Sequence, residues 1–302
     1  MYNHLNDKLP RVERGSQIPK LLHQTWVCRS TNELPERIIA NIEYLKQLNP
    51  TWEYHLWEDS SVEAFIREHY GQEIWLYYTR ISARYGAAKA DFFRYLVIYK
   101  LGGVYLDIKT SLTRPLDESI NSGDKLLLSY WDNLPGEPHH TWGHYPELRH
   151  LSSRGEFPQW YIACTAGHPF FRNLILRVMH NIDRYSALGK GVGLRGVLRT
   201  TGTIVYSLAM HEERLKDPEN RLSKVVNGFE QLGLIYSIYE ADQGAFGHKQ
   251  AIKQNYNIET SPVILNGNAW QSRVFGWYFR LQIYWYEVVE KGIRRLINKL
   301  LY

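Results

Sequence analysis

The stretch AAKADFFRYLVIYKLGGVYLD, Ala87 to Asp107, constrains this chain more than any other. Its first part reads as a helix, Gly102 and Gly103 stop it, and Val104 to Leu106 read as a short strand that delivers Asp107 at its carboxyl end. Side chains alternate along a strand, so Val104 and Leu106 share one face and Tyr105 and Asp107 the other. On the helix, Asp91 and Arg94 lie three apart and so on one side, while Tyr95, Leu96 and Tyr99 continue an apolar stripe. The pattern predicts a helical acid and a strand-end acid converging on one pocket. Each also has an ordinary explanation, because an Asp after a strand is often a turn former and an i, i+3 Asp–Arg pair is usually a surface pair.

Upstream, Ile18 to Trp26 reads as a first strand. Thr31, Asn32 and Pro35 look like a helix start, Ile38, Ile42 and Leu45 form the buried stripe, and Asn49-Pro50 ends it. Trp52 to Trp57 alternates as a second strand. Strand, helix and strand at this spacing imply a parallel βαβ unit, whose ligands bind beyond the carboxyl ends of the strands, where Trp26 and Asp107 both sit. Asp59 with Ser60 and Ser61 reads as the cap of another helix, with Gly71 as its stop. Further on, Lys125 to Tyr130 reads as a buried strand, Trp131 to Trp160 as a long loop, Thr203 to Glu212 as a helix and Leu232 to Tyr239 as a strand. A loop of that length is usually functional or disordered, so Trp131, Trp142, Tyr145 and Trp160 are candidates for an acceptor site, with core cover as the alternative. In Val274 to Tyr302, Leu281, Trp285, Val288, Val289, Leu296 and Leu300 make one apolar face beside five basic residues. That is the pattern of an interfacial membrane helix or of a helix docked on its own domain.

At 302 residues, with 44% hydrophobic and 22% charged residues, the chain is long enough for one domain, 1–273, followed by that C-terminal helix. Ten Trp and 22 Tyr suit stacking on sugars or an aromatic core. The net charge of +5 is mild, and the absence of a basic run interleaved with aromatics argues against nucleic acid. Two cysteines, Cys28 and Cys164, argue against a disulfide framework, and a polar N-terminus without an apolar signal core makes a cytoplasmic setting the expectation.

The ordered set IPKLLHQTW, LPERI, NPTWEYHLWED, AAKADFFRY and LGGVYLD resembles glycosyltransferase family 32, the sugar transferases with a D-x-D motif. That family includes yeast-type Golgi mannosyltransferases, bacterial capsule and lipopolysaccharide enzymes and, more distantly, clostridial glucosylating toxins. Fainter likenesses continue at Gly167-His168-Pro169-Phe170 and Thr200-Thr201-Gly202, where Thr203 replaces the family's Pro. The resemblance implies a GT-A type α/β fold, a Rossmann-like mixed sheet flanked by helices, with a donor-binding half at about 18–130 and an acceptor half at 131–273. It implies a retaining transferase that takes a UDP- or GDP-sugar to a glycan or lipid-linked acceptor, with bacterial surface polysaccharide synthesis as the expected setting.

Carried over by position, Asp91 and Arg94 bind the donor sugar and diphosphate, Asp107 contacts ribose and a Mn²⁺ or Mg²⁺ ion, and Trp26 stacks near the base or ribose. Trp142, Trp160, Gly202, His248, Asn268 and Trp270 are candidates for acceptor contact or site closure. Lys109 stands where the second Asp is expected. Three readings follow: metal held by Asp107 with a ligand from the C-terminal third, Lys109 replacing the metal against the diphosphate, or a non-catalytic sugar-nucleotide or glycan binder. The rival reaction is a haloacid-dehalogenase-type phosphatase, which Asp107-Ile108-Lys109-Thr110 imitates without its second Asp.

Overall fold

The structure, a computed structural model, describes residues 2–28, 33–244 and 259–265. The expected helix-start residues Thr31 and Asn32, the candidates His248, Asn268 and Trp270, and the basic segment 274–302 lie outside the described residues.

Strand β1 (Leu21–Trp26) leads through the helix Glu36–Leu48 to β2 (Glu53–Glu58), and the two strands pair in parallel. Ile38, Ile42 and Leu45 are the buried stripe expected of that helix, and Asn49 caps it. The first strand starts later than predicted, because the Leu21 amide turns back to the Pro19 carbonyl. After β2 the N-cap is Glu58 rather than Asp59, in a reciprocal capping box with Ser61. Gly71, at φ +75° and outside helical geometry, breaks the run Asp59–Arg80 into two helices, so the first stops where the sequence places its end.

The helix Gly86–Leu101 then runs into β3 (Gly103–Leu106), which lies beside β1 in parallel. The expected stripe on this helix is a correction: it is buried on nearly every side, Lys89, Asp91 and Arg94 included. The two glycines between helix and strand are required by space as well as by their positive φ. A Cβ on Gly102 would lie 2.6 Å from the Ala166 amide nitrogen, and one on Gly103 would lie 2.5 Å from the Leu21 carbonyl oxygen.

Beyond the short β4 (Ser111–Leu112), β5 (Leu126–Ser129), β6 (Tyr161–Cys164) and β7 (Lys224–Val226) complete a six-stranded sheet of order β2-β1-β3-β6-β5-β7. Strand β6 runs antiparallel to both neighbours. This is the mixed, helix-flanked sheet of the expected GT-A type. Alternation splits it cleanly: Tyr105, Ile162 and Cys164 face the core shared with the helices, while Val104, Leu106 and Tyr161 face a second core. The predicted strand Leu232–Tyr239 shrinks to β8 (Leu234–Ile235), because Gly233 at φ +70° ends a 3₁₀ turn there and β4 offers only two residues to pair with. Gly167-His168-Pro169-Phe170 opens the helix Pro169–Asp183, with His168 as its cap and Pro169 in the first turn.

Candidate active site

The helix and strand place their acids as the alternation predicts. Arg94 Nη2 lies 3.3 Å from Asp91 Oδ1 and 3.1 Å from Asp107 Oδ1, so a single guanidinium bridges the helical and strand-end carboxylates. Lys109 Nζ takes the other oxygen of Asp107 at 2.9 Å. Three buried charges and the half-buried Asp107 thus sum to zero, the condition under which such a cluster is tolerated. They do not face the cavity equally. The Asp91 side chain is 5% exposed and that of Asp107 is 23% exposed, so Asp107 is the more accessible acid.

Neighbouring groups fix the geometry. Thr201 Oγ1 donates to Asp91 Oδ2 at 3.0 Å and Gln159 Nε2 donates to Oδ1 at 3.1 Å. Arg94 Nη1 donates to the Gln159 carbonyl at 2.8 Å, and its guanidinium stacks 4.6 Å above the Tyr105 ring. Lys109 lies 4.5 Å from the centre of the Tyr236 ring. Burial pushes the Asp91 carboxyl up to about 6, against the pull of Arg94 and its hydrogen bonds, which leaves it ionised at neutral pH. Burial also opposes ionisation of Asp107, but Arg94 and Lys109 outweigh it and hold its carboxyl below the usual range.

These groups line a cavity of about 440 Å³. The long loop supplies Trp131, Trp142, Tyr145 and Trp160 to its wall, so the aromatics proposed for an acceptor site do reach the charged cluster. Trp131 and Trp160 are also core residues, packed on Phe229 at ring distances of 5.6 and 5.0 Å. Gly202 lines the cavity between two helices, and a Cβ there would lie 2.9 Å from the Leu198 Cα. Trp26 lies apart from the charged cluster. It is buried with Ile38, Ile42, Ile108 and Tyr239, where the helix after β1 packs over it, and it is not among the residues lining this cavity.

Sequence reasoning missed Gln159, Tyr236 and Glu156 as site residues. Glu156 is buried in the cavity wall, with Trp131 Nε1 donating to Oε1 and the Thr203 hydroxyl also beside the carboxyl. Burial pushes its carboxyl up to about 7. Only a Glu inside a loop rich in aromatics hinted at it.

The described donors do not fit a divalent cation. No group of three or more His, Cys, Asp or Glu side chains is positioned to hold a metal among the described residues. Both oxygens of Asp107 are already paired with cations, and Lys109 brings an ammonium to the place of the second ligand.

Residues 35–127 match a family model described as "Glycosyltransferase sugar-binding region containing DXD motif". Inositol phosphoceramide mannosyltransferase 3 of Schizosaccharomyces pombe is 30% identical over 195 residues, which cover 65% of this chain and 45% of that protein. These matches support the resemblance to glycosyltransferase family 32. A second relative, the initiation-specific alpha-1,6-mannosyltransferase of Candida albicans, is 29% identical over 175 residues, 55% of this chain and 44% of the relative. The chain thus spans less than half the length of these relatives. Among solved structures, the UDP-bound glycosyltransferase domain of the YGT toxin aligns at 11% identity with a TM-score of 0.48, covering 76% of this chain and 82% of that one. No described helix is long and apolar enough to cross a membrane.

Proposed function

We propose that this protein transfers a hexosyl group, with mannose as the leading candidate, from a UDP- or GDP-sugar to a hydroxyl of a glycan or lipid-linked acceptor. The observation that carries the reading is the convergence of Asp91, Arg94 and Asp107 on one aromatic-walled cavity. The named relatives act in mannosyl transfer, on inositol phosphoceramide or in alpha-1,6 linkage. They favour such acceptors over the bacterial surface polysaccharide expected from the sequence.

In this reading Asp91 and Asp107 accept hydrogen bonds from donor hydroxyls, and Arg94 holds both carboxylates ionised and in register. Lys109, on its four-carbon stem, exchanges Asp107 for the diphosphate and meets the charge that develops as the C1–O bond breaks. The acceptor oxygen attacks C1 from the face the diphosphate leaves, and its proton passes to the departing phosphate oxygen, so configuration is retained. The donor-binding half at 18–130 and the acceptor half at 131–273 share this single cavity, in line with the lining residues from both. A phosphatase reading is disfavoured, because an attacking Asp107 would have both oxygens engaged by cations.

The test is a panel of UDP- and GDP-sugars read by thermal shift and donor hydrolysis, with Mn²⁺, Mg²⁺ or EDTA. One donor is expected to bind and hydrolyse slowly, to survive EDTA, and to be lost in Asp107→Ala. Binding abolished by EDTA and restored by Mn²⁺ would refute the role of Lys109. Donor binding without hydrolysis or transfer would establish a binding protein instead, and phosphate release from p-nitrophenyl phosphate would restore the phosphatase.

A further inference from the structure

Away from the charged cluster, the helices Pro169–Asp183, Ala187–Lys190, Gly193–Thr200 and Thr203–Leu215 surround a second cavity of about 340 Å³. Its wall carries Arg177, Arg184, Lys190 and Arg199 against a single acid, Glu147. Arg199 Nε donates to Glu147 Oε1 at 2.6 Å, and Arg177 pairs with Glu212. That leaves positive charge without a match. Lys190 donates only to the neutral Asn181 Oδ1, at 2.9 Å, and neither Lys190 nor Arg184 pairs with a carboxylate among the described residues. The Nε–H of Arg177 is buried and makes no hydrogen bond. The like charges of Arg177 and Arg199 add to burial in depressing the Lys190 ammonium. A protein does not gather repelling cations around partly buried space without cost, and an anion is what offsets that cost.

This cavity is not isolated. An apolar groove of about 380 Å³ adjoins it and shares Glu147, Arg199 and Ile204 with it. At its other end the groove shares Tyr145, Leu194 and Leu198 with the cavity of Asp91 and Asp107. Leu194 is 40% exposed along this track.

We propose that the basic cavity binds a phosphate group of the acceptor, whose hydroxyl-bearing part extends along the groove to the sugar-transfer cavity. The acceptor role rests on the transferase reading above. Phosphate suits the site better than a carboxylate, since Lys190 and the Arg184 fork both line it without a carboxylate and a single negative charge would not match them.

The test uses the full chain and titrates inorganic phosphate at constant ionic strength, followed by thermal shift. Phosphate is expected to stabilise the wild type, with affinity at least tenfold weaker in Lys190→Gln and in Arg184→Glu, a rim substitution that leaves the buried wall intact. The donor-induced shift should be the same in all three proteins. Two further arms separate the sources of phosphate. A lipid phosphodiester predicts sedimentation with phosphatidylinositol vesicles but not with phosphatidylcholine vesicles, lost in Lys190→Gln. A soluble sugar phosphate predicts tighter binding of glucose 1-phosphate than of inorganic phosphate, with no sedimentation. If the wild type responds to none of these, or both variants respond as it does, the site is refuted. A phosphate response without any nucleotide-sugar response would instead bring down the transferase reading, and the acceptor role with it, while leaving an anion site.

Discussion

Glu156 gives the sharpest test of the cavity wall. Its carboxyl titrates near 7 in the folded protein, against 4.5 for an unperturbed Glu. Between those values the folded state holds a proton that the unfolded chain has released. Stability from this group is therefore greatest at low pH and is lost as pH rises through the folded value. At about 1.4 kcal/mol per pH unit the whole gap is worth roughly 3 kcal/mol, of which about 2.5 kcal/mol falls between pH 5 and pH 8.5. Glu156→Gln keeps an acceptor for the Trp131 indole but cannot ionise, so it lacks this pH-dependent loss. The variant should therefore gain about 2.5 kcal/mol on wild type between pH 5 and pH 8.5. For a domain of this size the relative change in Tm is about 5 °C. Thermal denaturation of both proteins at the two pH values measures it. If the Tm difference between them is the same at pH 5 and pH 8.5, Glu156 is not a buried titrating group and the argument fails.

Four further outcomes follow from the geometry. Asp91→Asn keeps a side chain able to hydrogen-bond Thr201 and Gln159 but loses the charge paired with Arg94, so donor hydrolysis should drop at least 100-fold while the far-UV spectrum is unchanged. Lys109→Asp rebuilds the D-x-D pair, and donor binding should become dependent on Mn²⁺; binding unaffected by EDTA in this variant would count against Lys109 as the substitute cation. Gly103→Ala forces a Cβ onto the Leu21 carbonyl at φ +96° and should cost about 3 kcal/mol or more, seen as a lower denaturant midpoint; a cost under about 1 kcal/mol would mean the β1–β3 contact is looser than described. Trp142→Ala should weaken acceptor binding more than it lowers Tm, whereas lost stability with acceptor affinity intact would return Trp142 to a packing role.

Local chemistry determined the part of this protein that was readable from its residues. The glycine pair, the alternation Val104–Asp107 and the three-residue spacing of Asp91 and Arg94 depend on neighbours in the chain, so the convergence of the two acids could be stated before any coordinates. The same holds for the βαβ start, where periodicity and the Asn49 stop mark the elements. Tertiary structure decided the rest, because it depends on which segments pack together. The helix carrying Asp91 has a partial stripe in sequence, yet segments from both sides bury it all round. Trp26 sits at a strand end, as read, but what covers its ring comes from the helix Glu36–Leu48 and from Tyr239. Lys109 could be recognised as a departure from D-x-D, but that it closes a neutral cluster with Asp107 follows only from the position of Arg94. Gln159 and Tyr236 carry no local signal, and Glu156 only that of an acid in an aromatic-rich loop. They become part of the site because β6 and β8 return those segments to the carboxyl end of β3, and long-range pairing of that kind leaves no periodic trace in the residues themselves.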